Sequence, residues 1–143
     1  MIDQVIDLAR THAPRRARSA RHRDAVVDFL RAMVIDGAGL EERMHAIFLD
    51  RDHAVLGDAQ LGRGSERQLA LRLRDLFGKA LALDAHGLIV AHNHPSGDCR
   101  PSACDITATR RLKAIAQSLD IEVIDHLIVT RHSVYSMRAG GNL

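Results

Sequence analysis

Apolar residues in the first stretch of the chain, Ile2, Val5, Ile6 and Leu8, fall partly on one side of a short helix over 2–10. A second helix is predicted over 24–35 and is ended by Asp36-Gly37-Ala38-Gly39. From Met44 the pattern shortens. Residues 44–49 and 54–61 read as two strands joined by the polar turn Asp50-Arg51-Asp52-His53. Gly62-Arg63-Gly64 breaks the chain, and Ser65 three residues before Gln68 is a capping-box spacing that opens a helix. Leu69, Leu71, Leu73, Leu76, Phe77 and Leu81 give that helix its apolar face out to about Asp84. Residues 87–91 are wholly apolar, as expected of a strand buried on both faces. They run into the polar loop His92-Asn93-His94-Pro95-Ser96-Gly97-Asp98. Residues 102–119 are predicted helical with Ile106, Leu112, Ile115 and Ala116 inward, and 121–130 with 133–138 form a closing hairpin. The expected class is mixed α/β: a central sheet of about four or five strands flanked by helices. Residues 1–40 are expected as a helical extension with a basic linker, ahead of a domain over 41–143.

The chain has 143 residues and 46% hydrophobic content, enough for one core. Aromatic residues make up 3%, with no Trp, which argues against a base-stacking nucleic-acid surface. The formal charge of +2 does not by itself imply a nucleic-acid partner. The basic cluster Arg15, Arg16, Arg18, Arg21 and Arg23 is read as a solvated linker, with weak DNA contact as its sharper alternative. No apolar run approaches the ~18 residues of a membrane span, and no secretory leader is recognised, so no membrane partner is expected. The two cysteines, Cys99 and Cys104, suggest no disulfide framework, which makes the cytoplasm the expected compartment.

His92 and His94, two apart at the end of a strand, project from the same face. Asp105 follows eleven residues after His94 in the first turn of the next helix, and can converge with them. Two nitrogens and an oxygen with a fourth position open is a catalytic zinc arrangement. The plainer reading makes the histidines turn residues, with Ser102 as N-cap and Asp105 favouring the helix dipole. A third reading closes a structural site from His92, His94, Cys99 and Cys104. Spacing alone leaves these open. His45, His53, His86 and His132 have no partner at ligand spacing and are read as fillers. Asp98 is read as a turn residue.

His92-Asn93-His94-Pro95-Ser96-Gly97-Asp98, followed by Pro101-Ser102 and Asp105, resembles the signature of RadC-type proteins of the JAMM (MPN+) metalloprotease superfamily. Ile47-Phe48-Leu49-Asp50, Gly64, Arg74 and Asp125-His126-Leu127-Ile128-Val129 extend the resemblance from Leu40 to the C-terminus. It implies a JAMM/MPN, cytidine-deaminase-like sheet with helices. It implies Zn2+ on His92, His94 and Asp105, with Ser102 stabilising an oxyanion. Glu42 best matches the general base, with Glu41 and Glu66 as rivals. Cys99, Arg100, Arg43 and Met44 depart from the usual pattern, and residues 1–40 show no clear DNA-binding hairpin. Asp125-His126 is read first as a structural contact and second as a pair orienting a ligand.

The expected function is zinc-dependent hydrolysis of a peptide or isopeptide bond in a peptide or protein substrate. The alternatives are a DNA-repair-associated nucleic-acid-binding protein and a non-catalytic partner-binding scaffold.

Overall fold

The computed structural model describes residues 15–35, 41–63 and 69–143. The chain runs α1 (Arg15–Val34), β1 (Arg43–Leu49), β2 (Val55–Arg63), α2 (Leu69–Ala82), β3 (Gly87–Asn93), α3 (Ala103–Ser118), β4 (Glu122–Val129) and β5 (Val134–Ser136). The strands form one mixed sheet in the order β2-β1-β3-β4-β5. β3 and β4 are parallel and the other neighbours antiparallel. This is the α/β architecture expected. The Ser65–Gln68 capping box, Gly64 and the helix over 2–10 lie outside the described residues.

The central strands carry unbroken apolar runs, 46–49 in β1 and 88–91 in β3, because helices cover both faces. Along β1, Ala46 and Phe48 join Leu76, Leu88, Val90 and Leu112 on the side of α2 and α3. Ile47 and Leu49 alternate to the other side and pack with Phe29, Leu30 and Val34 of α1. Side chains of opposite direction thus enter two cores, so the run Ala46–Leu49 has no polar face to show. Between β1, β3 and β4 the packing is tight at Gly87, where an added Cβ would meet Ile124 Cδ1 at 2.9 Å and Leu49 Cβ at 3.3 Å.

Three expectations are corrected. The segment read as a basic linker is helical, since α1 begins at Arg15 and not at Asp24. It docks through fully buried Leu30 and Val34, and Arg31 Nε donates to the Thr130 carbonyl at 2.9 Å. Leu81 lies on the exposed side of α2, 57% accessible, because Leu76, Phe77 and Ala80 already fill the inward turn. In α3 the buried stripe is Asp105, Thr109, Leu112 and Ala116, with Ile106 and Ile115 only half-buried. The stripe keeps helical spacing but starts with two polar residues, because that end of the helix abuts the site and not the oily core.

Candidate metal centre

β3 carries His92 and Asn93 within its last pairs and not in the following loop. β1 is antiparallel to β3, so the start of β1 lies beside the end of β3, with Met44 opposite His92. Asn93, 1% exposed, splints this junction. Its Nδ2 donates to the Glu41 carbonyl at 2.9 Å, and its Oδ1 accepts from Arg43 N–H at 2.7 Å. Glu42 is held between those two bonds. Its Oε1 comes 3.8 Å from His92 Nε2.

Asp105 reaches the same point from α3. Ser102 and Asp105 form a reciprocal capping box: Asp105 N–H donates to Ser102 Oγ at 3.1 Å, and Ser102 N–H donates to Asp105 Oδ2 at 2.8 Å. The carboxylate so fixed lies 3.1 Å from His92 Nε2 through Oδ1 and 3.1 Å from His94 Nε2 through Oδ2. The plain helix-start reading and the converging-ligand reading are therefore both true of Asp105. Burial pushes its carboxyl up, but the adjacent His92 imidazole and the hydrogen bonds from Ser102 outweigh that. The net effect holds it well below the usual carboxylate range.

His94 is set by the loop that follows. Pro95 and Gly97 make a tight turn in which Gly97, at φ +85°, donates to the His94 carbonyl at 3.1 Å. Asp98 then clips Arg100 through both carboxylate oxygens, and the arginine holds the exposed Asp98 carboxyl down at about 2. The Asp98 carbonyl lies 2.8 Å from His94 Nδ1. A carbonyl can only accept, so Nδ1 carries the proton and the Nε2 of neutral His94 is a bare lone pair.

That lone pair faces an ionised carboxylate at 3.1 Å and His92 Nε2 at 3.1 Å. Acceptors this close need a cation or an added proton among them. A tetrahedral centre with Zn–N bonds of 2.0–2.1 Å separates its ligands by about 3.3 Å, close to these distances. Glu42, His92, His94 and Asp105 each offer one ligand atom, and all four atoms lie within 4.8 Å of one another. Among the described residues this is the one such group, and two imidazoles with carboxylates are a donor set suited to a transition metal such as zinc.

The structure does not assemble the closed His2Cys2 arrangement. Cys99 is half-buried and Cys104 exposed, neither is in a disulfide, and neither joins His92 and His94. Of the rival acids, Glu41 points outward to Arg43 with its side chain 59% exposed, and Glu66 lies outside the described residues. The Asp125-His126 pair divides, because neighbours on a strand face opposite ways. Asp125 accepts from Ser136 Oγ at 2.6 Å and from the His126 amide at 2.8 Å, a structural role. The His126 ring instead bonds His92 at 2.8 Å, so the ligand-orienting contact first set aside is present. His45, read as partnerless, pairs across β1 and β2 with Asp58 at 2.6 Å.

Asn93 and Thr109 were not singled out from sequence. Thr109 could have been found by stepping back one helical turn from Leu112 and Ala116. Of the arginine cluster, Arg23 is exposed, and the side chains of Arg15, Arg16, Arg18 and Arg21 lie outside the described part. A groove of about 760 Å³ on the α1 face, lined by Val27, Ile47, Val55, Ile89, Leu127 and Val134, contains none of Glu42, His92, His94 and Asp105. No helix among the described residues is long and apolar enough to cross a membrane.

The sequence profile of the RadC-like JAB domain matches residues 20–142. A UPF0758 protein of Burkholderia thailandensis is 37% identical over 140 residues, covering 96% of this chain and 53% of that protein. A UPF0758 protein of Burkholderia mallei is 38% identical over 140 residues, covering 96% and 50%. One from Acidithiobacillus ferrooxidans is 35% identical over 145 residues, covering 99% and 63%. The chain spans about half the length of the Burkholderia relatives. With this match over most of its length, and a mixed sheet flanked by helices, the chain belongs to the RadC-like JAB domain family.

Proposed function

We propose that the chain is a zinc-dependent hydrolase that cleaves a peptide or isopeptide bond. The observation that carries this is the meeting of Glu42, His92, His94 and Asp105 at the mouth of β3. His92, His94 and Asp105 would hold the metal. Zinc bound there supplies Lewis acidity, polarising a carbonyl and making water easier to deprotonate.

The chain's own residues supply the rest. Glu42 is the least buried of the carboxylates in the group, with its side chain 30% exposed, and can exchange protons with substrate and water. It takes a proton from the attacking water as the new C–O bond forms. It returns that proton to the amine nitrogen as the C–N bond breaks, leaving a carboxylic acid and an amine. Ser102 Oγ already accepts the Asp105 amide, so its own proton is left to donate to the oxygen that gains charge.

Substituting Glu42→Gln in the zinc-loaded chain should lower peptidase or isopeptidase turnover by about 10²-fold or more, with zinc content retained. Full turnover in this variant would remove Glu42 from the mechanism.

A further inference from the structure

His92 and Asp105 are joined a second time, behind the site and inside the core. His92 Nδ1 lies 2.8 Å from His126 Nε2, and His126 Nδ1 lies 2.7 Å from Thr109 Oγ1. Thr109 Oγ1 lies in turn 2.7 Å from the backbone carbonyl of Asp105. His126 and Thr109 are each 1% exposed. The circuit ties β3, β4 and α3 together where the clustered side chains leave them.

Counting protons gives this circuit a direction. Two oxygens 2.7 Å apart need a proton between them, and the Asp105 carbonyl has none to give, so the Thr109 hydroxyl donates there. Thr109 Oγ1 must then accept from His126, which places the single proton of a neutral His126 on Nδ1. Its Nε2 is left bare and accepts from His92 Nδ1–H. The proton of neutral His92 is thereby spent inside the core, and His92 Nε2 turns a lone pair toward His94 and Asp105. The opposite direction would set two oxygens face to face without a proton and would aim a His92 N–H into the cluster.

We infer that Thr109 and His126 are positioning residues that lock His92 in the tautomer whose bare Nε2 faces the ligand group. The inference rests on the metal reading above for its purpose, but not for its geometry. Hydrogen bonds of this kind behind a ligating histidine typically change metal affinity by about 10–100-fold when removed. Valine at 109 keeps the size of threonine and removes the hydroxyl, while serine keeps the hydroxyl.

The test uses the full chain. Long-range nitrogen NMR on the metal-free protein should show His92 protonated at Nδ1 and bare at Nε2. Thr109→Val should erode that preference and weaken Zn2+ binding, read against a chromophoric chelator, by about 10–100-fold. Thr109→Ser should keep both. His92 protonated at Nε2 in the unsubstituted chain would overturn the inference. So would a Thr109→Val variant that keeps tautomer and affinity. If that variant does not fold, the tautomer of the unsubstituted chain and the serine variant still decide. The expected tautomer in a chain that binds no zinc would leave the relay standing and remove the metal reading.

Discussion

His126 shows how burial turns a titratable residue into a fixed one. Burial first, and the adjacent His92 second, push its pKa down to about 3. In an unfolded chain the same imidazole titrates near ~6.5. Between those values the unfolded state binds a proton that the folded state refuses, so stability is full above ~6.5 and is lost as pH falls toward 3. Urea unfolding of the metal-free chain should therefore show a His126 contribution of up to about 1.4 kcal/mol per pH unit between pH 6 and pH 4. His126→Gln should lack that slope. Equal slopes in the two proteins would mean that His126 is not held neutral. Asp105 sits at the other extreme: an ionised side chain kept ionised, with its amide, both carboxylate oxygens and its carbonyl all engaged.

Among the elements, α1 is the one that the sequence pattern placed least well. Its arginine-rich start hides the helix, because a run of like charges reads as solvated chain. What anchors it comes later, where Phe29, Leu30 and Val34 meet the sheet. Leu30→Ala should destabilise the protein by about 2–5 kcal/mol in urea unfolding. Leu56→Ala on the exposed side of β2 should cost about 0.5 kcal/mol or less. A Leu30 variant as mild as the Leu56 variant would mean that α1 is appended and not built in. The strands were more legible. Ala46–Leu49 and the run in β3 are apolar on alternate and intervening positions alike, which only burial on both faces explains. α3 was legible at its N-cap but not in its facing, since Thr109 and Asp105 occupy the inward stripe that a hydrophobic count skips.

At the scale of the whole molecule, sheet order makes the site. His92 and His94 lie near each other along the chain, and Asp105 opens the helix that follows, so the motif reveals all three. Glu42 is fifty residues upstream of His92 and becomes a neighbour only because β1 runs antiparallel beside β3. His126 arrives by the parallel pairing that sets it opposite Val90 and one row back from His92. Neither contact is written in local spacing, which is why the general base had rivals and why a ligand-orienting His126 stood second to a structural one. The cysteines make the converse point: Cys99 and Cys104 lie between the clustered residues in sequence but stay outside the cluster in space.

Zinc stoichiometry tests the centre of this reading most directly. Elemental analysis would be run on the purified chain, on Asp105→Ala and on a Cys99→Ala/Cys104→Ala double variant, each supplied with zinc and freed of excess. One zinc per chain in the unsubstituted protein and the cysteine variant, and none in Asp105→Ala, is the predicted result. Zinc lost only with the cysteines, or no zinc retained by the unsubstituted chain, would contradict it.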